Sequence, residues 1–310
     1  MSARKKLLVI SNCQGPVLFN RFLKNASDTL TARYEVLTPV QVHLLKADES
    51  ARVAAAIDAA DVLVAQPVQN CPVSHVLIDE LVGTASRKGK QLIKFPALHF
   101  DCLFAGMSKK VWMGAQANYP FGETEDAALA SMFVLGLTSA DAARAFHEVP
   151  FLDQAQLETR IERNLAGFES REEEHATDVR ISDFYRDNWR QHRLHHVKSH
   201  PCAVAYQELM VRMGKTLGLD DVDPARTASQ RGNSQFGMPV KRWVKSALAT
   251  QFDDREDRAL LNNEDVPFET LIETLWSFYA SRGVDTVRRR LELDESPVFQ
   301  KLSTQLGRQA

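Results

Sequence analysis

A cysteine at the end of an apolar run is the first residue of this chain with a chemistry to suggest. In VISNCQGP, residues 9–16, β-branched and aliphatic side chains stop at Ser11, and Asn12, Cys13, Gln14, Gly15 and Pro16 follow. A free thiol has a pKa near ~8.5, so only a small fraction is thiolate at neutral pH. The mouth of a helix favours the anion, because the first N–H groups and the dipole point at it. A neighbouring histidine adds to that effect. The backbone N–H groups of Gln14 and Gly15, with the Asn12 side chain, form a candidate oxyanion hole. The same stretch also suits a small buried thiol at a strand end, and the local pattern does not separate the two readings.

A base for such a nucleophile is offered by HHVKSHP, residues 195–201, which holds three of the chain's nine histidines. His200 sits on a turn fixed by Pro201 before a helical pattern, where it can serve as general base or simply cap the helix. His195 and His196 suit a short strand or the surface. Imidazoles at this spacing lack the cysteine or carboxylate company that zinc usually has, so no metal site is expected. Gln66, Gln69 and Asn70 end another apolar run and offer amides to a carbonyl or oxyanion, although ordinary turn chemistry explains them equally well. His99 and Asp101 lie among aromatics. Glu123, Glu125 and Asp126 open a helical pattern, where acids complement the dipole in any protein. Arg226, Arg231, Lys241, Arg242 and Lys245 cluster in sequence and read as a phosphate site or, more simply, as a solvated helix face.

These groups need a scaffold, and the first hundred residues alternate in a way that supplies one. KKLLVIS, YEVLTPV, DVLVAQPV and QLIKFPAL read as strands. Helical patterns lie between them, the first with Pro16 in its opening turn. Strands alternating with helices predict a parallel sheet with right-handed crossovers, with ligands bound beyond the carboxyl ends of the strands. After about residue 120 the strand signal fades and helices dominate, with the mixed-charge run 158–174 read as a solvated helix and TASQRGNSQFGMP, 227–239, as a long loop. The expected architecture is α/β: a small parallel sheet with flanking helices in residues 1–120, and a mostly helical part, 121–310, packed on it within one domain.

The 310 residues carry a net charge of −2, which gives no reason to expect nucleic acid. No apolar stretch approaches the ~20 residues of a membrane span. The short apolar run after MSARKK is too brief for a signal peptide. A cytoplasmic protein is therefore expected. The four cysteines, Cys13, Cys71, Cys102 and Cys202, form no CxxC pair, which argues against a zinc ribbon or redox motif.

Taken in order, strand–SNCQG–helix, QP at a later strand end, FP before an aromatic segment, GETED opening a helix and SHP before another resemble the WcbI-type capsular polysaccharide biosynthesis proteins. The resemblance spans about residues 6–220, and NCQG and HP carry most of it. It implies an acetyltransferase that binds coenzyme A and acts on a sugar hydroxyl. The family is in turn similar to SGNH hydrolases, which implies Cys13 at the nucleophile position, Asn70 near a later amide block and His200 at the base. SGNH enzymes usually carry Asp three residues before the histidine, and here that residue is Val197. Glu123, Asp101 or a backbone carbonyl would then orient His200. Gly15, Lys198, Arg231, Lys241 and Arg242 are the expected coenzyme contacts. An esterase or deacetylase using the same residues, and a non-catalytic carbohydrate- or coenzyme-binding protein, are the alternatives.

Overall fold

The computed structural model describes residues 3–67, 82–108, 119–121, 125–293 and 297–307. The chain divides into two compact units, each assembled from three segments. The first comprises Met1–His99, Leu165–Asp187 and Pro201–Asn233, and the second Phe100–Asn164, Asn188–His200 and Ser234–Ala310.

The first unit is built on a parallel sheet. Its strands are β1 (Lys5–Ser11), β2 (Tyr34–Val36), β3 (Val40–Gln41), β4 (Val62–Ala65) and β5 (Gln91–Lys94), in the order β2-β1-β4-β5 with β3 also on β1. Leu7 to Ile10 of β1 pair in register with Val62 to Ala65, and Val62 to Ala65 with Gln91 to Lys94. Leu7, Leu8 and Val9 are all fully buried, so both faces of β1 are covered, as a parallel sheet requires. The stretch predicted as one strand, YEVLTPV, is interrupted near Pro39, which has no N–H for the ladder; its two halves still run parallel to β1. Helix α1 follows at once as Gln14–Val17, a π-helical turn at Leu18–Leu23 and a last turn, Lys24–Ala26. Helix α2 (Ser50–Ala59) sets Val53 and Ile57, one turn apart, into a core with Leu8, Ile10 and Leu63.

In the second unit the helices Ala127–Val134, Ser139–Glu148 and Phe268–Arg282 fall where the sequence pattern places them. A three-stranded antiparallel sheet, Phe236–Gly237, Arg258–Leu261 and Glu264–Pro267, was not expected there. Asn262 and Asn263, both at positive φ (53° and 70°), make the two-residue reversal between the last two strands. Asn is the residue other than Gly that best tolerates this conformation.

The long charged helix Gln154–Glu174 is amphipathic rather than simply solvated. Leu157 and Ile161 are buried in its earlier part, and Leu165 and Phe168 in the part belonging to the first unit. Glu172 is also buried, accepting hydrogen bonds from Ile181 N, Ser182 N and Ser182 Oγ.

Lys241 is likewise no solvated residue. Its side chain is 2% exposed, and its Nζ donates to Asp126 Oδ2 and to the Ala105 carbonyl at 2.7 Å while lying 4.0 Å from the Phe146 ring centroid. Asp126 Oδ1 meanwhile accepts from Ala128 N and Leu129 N, capping the helix that follows. Burial pulls the Lys241 ammonium below its ordinary pKa, and the Asp126 carboxylate opposes the shift. Removing one partner of such a pair leaves a buried charge. Lys241→Ala should therefore lower the unfolding free energy by roughly 3–5 kcal/mol in urea titration. Lys241→Met combined with Asp126→Asn should restore most of it, because no buried charge is stranded and Asn retains the cap.

Candidate functional site

The site in the first unit begins with the way β1 stops. Ser11 is its last residue, and Cys13 is the residue immediately before α1, with φ −59° and ψ −15°. The approach is close enough to need glycine. A Cβ on Gly15 would lie 2.0 Å from Ser11 Oγ and 2.8 Å from both Ser11 Cβ and Val9 Cγ1. Gly15, expected as a coenzyme contact, thus owes its identity to the packing of α1 on β1.

Below the cysteine lies a set of buried amides. Gln14 is fully buried: its Nε2 donates to the Leu98 carbonyl at 2.7 Å, and its Oε1 accepts from Leu98 N at 2.9 Å. Gln66, 4% exposed, donates through Nε2 to Gln14 Oε1 (3.0 Å) and to the Pro96 carbonyl (3.1 Å), and its Oε1 accepts from Asn12 N at 3.1 Å. Asn12 Oδ1 in turn accepts from Gln14 N at 2.8 Å. These bonds tie together the carboxyl ends of β1 and β4 and the segment after β5. The Gln14 backbone N–H, expected as an oxyanion donor, donates to Asn12 here, and the Gln14 side chain mimics a strand partner for Leu98.

A donor for the sulfur comes instead from the loop before the second unit's last segment. Asn233 Nδ2 lies 3.3 Å from Cys13 Sγ. Asn233 is 8% exposed, and its backbone N–H donates to the Pro201 carbonyl at 3.0 Å. Gly232, at φ +76°, makes this possible, since a Cβ there would sit 2.4 Å from Pro201 O; its own carbonyl accepts from Arg21 NH1 at 3.3 Å. Tyr206, on the helix Ala203–Thr216, is fully buried and stacks on Phe22 of α1 at 5.0 Å. Burial, and then the nearby sulfur of Cys13, push the phenol pKa well up. Neither Asn233 nor Tyr206 stood out in the sequence: one lies in a polar loop, the other in an ordinary amphipathic helix. Arg231, exposed, immediately precedes Gly232.

Of the described cysteines, Cys102 and Cys202 are buried and Cys13 is half-buried. Burial, and next the Asp101 charge, raise the Cys102 thiol well above its ordinary pKa.

In the second unit, His200 Nδ1 lies 3.3 Å from the Phe236 carbonyl, and its ring stacks on Phe236 at 6.0 Å and 19°. A carbonyl can only accept, so in that bond Nδ1 carries the proton. Among the described residues, a backbone carbonyl is thus one of the groups at the His200 ring. Asp101 instead pairs with Lys198 at 2.9 Å. Burial opposes its charge, yet Lys198, Arg160 and Asn164 hold its carboxyl below the ordinary value. Lys198, expected at the coenzyme, is engaged by that carboxylate. Arg242, exposed, contacts Glu256 and Glu148. Lys241, buried against Asp126, has no ammonium to present to a phosphate. Asn70 and Glu123 lie outside the described residues. His195 is buried beside Phe100. No group of three or more His, Cys, Asp or Glu among the described residues is placed to hold a metal, and no described helix is long and apolar enough to cross a membrane.

Residues 6–222 match the family described as polysaccharide biosynthesis enzyme WcbI. Among solved structures, the chain is similar to WcbI, described as a novel polysaccharide biosynthesis enzyme and as native protein without a disulfide bond between coenzyme A and one of its cysteines. The TM-score is 0.67 at 19% identity, over 96% of this chain and 99% of that one. No curated protein matches.

The amide set has a measurable consequence. Gln14→Leu orphans Leu98 N, Leu98 O and one Gln66 donor, and each orphaned buried group costs about 1–3 kcal/mol. Gln14→Leu should therefore be among the most destabilising single changes in the first unit by chemical denaturation, whereas Asn233→Ala should leave the midpoint nearly unchanged.

Proposed function

The chain belongs to the WcbI family of polysaccharide biosynthesis enzymes, and from that premise we propose that it transfers an acetyl group from acetyl-coenzyme A to a sugar hydroxyl, with Cys13 as the nucleophile. The observation that carries this reading is the setting of Cys13: a half-exposed sulfur before α1, with the Asn233 amide donating to it. A helix start and an amide N–H both favour negative charge on sulfur. The similar solved structure supports the cofactor, since its description names coenzyme A and a cysteine, without a disulfide bond between them. On this chain the cysteine beside the coenzyme is assigned to Cys13, half-buried before α1; Cys102 and Cys202 are buried, and Cys71 lies outside the described residues.

In the proposed reaction the Cys13 thiolate attacks the acetyl carbonyl. A new C–S bond forms, the bond to coenzyme A breaks, and the coenzyme leaves as a thiolate that takes up a proton. A sugar hydroxyl then attacks the acetyl-cysteine, gives its proton to His200 Nε2, and releases the Cys13 thiolate. His200 is assigned the base on the resemblance carried by its SHP element, not on a distance to Cys13. The Asn233 amide, already at the sulfur, is assigned the developing oxyanion. Thiol–thioester exchange exchanges like for like, so the covalent intermediate is chemically accessible. Arg231, exposed in the loop that carries Asn233, is the assigned phosphate contact.

Quenched mass spectrometry tests the sequence of steps. Acetyl-coenzyme A without acceptor should add one acetyl group to the peptide holding Cys13, and His200→Gln should let that adduct persist after acceptor is supplied. An unmodified peptide at every time point would rule out the covalent route. Independently, Arg231→Ala should weaken coenzyme A binding by roughly tenfold in calorimetry, the loss of one charge-assisted contact. Lys241→Met with Asp126→Asn should leave binding unchanged.

A further inference from the structure

Arg193 lies in the second unit, on the segment leading into the strand His195–Val197, and the acetyl-transfer reading gives it no part. Its side chain is 20% exposed. All three nitrogens of its guanidinium donate. Nε reaches the His195 carbonyl at 3.0 Å, and Nη2 the His196 carbonyl at 3.2 Å. Nη2 also donates to the Met238 carbonyl, 45 residues on, and Nη1 to Asp254 Oδ1, 61 residues on. Asp254 is buried, and its Oδ2 accepts from Val240 N at 2.5 Å. Burial raises the Asp254 pKa, and the Arg193 charge opposes the shift. One planar fork thus serves two strand segments and a buried carboxylate, which the point charge of a lysine ammonium cannot do.

The second of those segments is Phe236–Gly237 with Met238 just beyond it. Met238 N donates back to the His196 carbonyl at 3.1 Å. Phe236 and Gly237 pair in turn with Leu261 and Leu260. Phe236 is also the residue that meets His200, through its carbonyl at Nδ1 and its ring stacked on the imidazole. Both contacts therefore come from a residue whose place is set two positions away, at Met238. In a neutral imidazole, the hydrogen bond made by one nitrogen decides which of the two bears the proton. Whatever holds the Phe236 carbonyl in place thereby decides the His200 tautomer.

We propose that Arg193 is a positioning residue for His200: by clamping Met238 to His195 and His196, it keeps the Phe236 carbonyl on Nδ1 and so fixes the Nδ1–H tautomer. Its consequence for acetyl transfer rests on the reading of His200 as the base.

Long-range proton–nitrogen correlation spectra of the full chain, isotope-labelled at histidine and recorded at about pH 8.5, above the ordinary imidazole range, read the tautomer directly. His200→Gln assigns the signal, and wild-type His200 should be the Nδ1–H form. Arg193→Lys keeps a charge for Asp254 but lacks the fork. Arg193→Met with Asp254→Asn strands no buried charge and keeps an acceptor for Val240 N, so the fold is preserved. Both variants should move His200 to a mixture containing Nε2–H. Glu172→Gln, a change at a buried carboxylate of the first unit, should not. Hydrolysis of the acetyl adduct on Cys13, followed by quenched mass spectrometry, should slow roughly tenfold in both Arg193 variants, while the adduct forms at the wild-type rate. The proposal is overturned if wild-type His200 is the Nε2–H tautomer, or if either folded Arg193 variant keeps the wild-type Nδ1–H signal. A shifted tautomer with unchanged hydrolysis supports the clamp and instead removes His200 as the base.

Discussion

The hydrogen bonds between two buried glutamines are the constraint on which the candidate site depends. Three parallel strands end near one another, and each ends in backbone groups that the sheet no longer pairs. Gln14 satisfies both backbone groups of Leu98, and Gln66 bridges Gln14, Pro96 and the Asn12 N–H. Each amide uses a donor and an acceptor at once, without charge. Replacing either with an apolar side chain would leave buried polar groups without partners. The position of Cys13, between Asn12 and Gln14, is fixed by the same bonds.

Close packing does the rest. Gly15 lets α1 start against β1 with no side chain between them, and Gly232 lets a loop 220 residues further on (233 − 13) bring an amide to the sulfur. The π-helical turn in α1 widens the helix where Phe19, Phe22 and Leu23 enter the core, and Phe22 meets Tyr206 there. Such turns recur near functional sites. Cys13 is therefore held from below by amides and meets a donor from the loop.

Much of the first unit could be read directly. β1, the start of α1 and the strand–helix alternation follow from periodicity and from Pro16, and the parallel sheet follows from the alternation. The rest depended on groups that only tertiary structure brings together. Gln14 drew notice for its backbone N–H, which donates to Asn12 Oδ1; its side chain finds partners 84 residues away at Leu98, a distance no local pattern reveals. Lys241 looked like a surface cation because lysines usually are, and only Asp126, 115 residues distant, explains its burial. Asn262 and Asn263 make a tight reversal, but the strands beside them are four residues each and carry a weak pattern. Asn233 sits in a run of small polar residues where nothing local marks one amide above another.

The central claim is that this support holds a sulfur that accepts the acyl group itself. The most direct measurement is rapid-mix release of coenzyme A from acetyl-coenzyme A in the absence of acceptor. The covalent route is expected to release about one coenzyme A per chain in a burst, followed by slow turnover, and Cys13→Ala should show no burst. Acceptor-dependent release with no burst, or a burst that persists in Cys13→Ala, would contradict it.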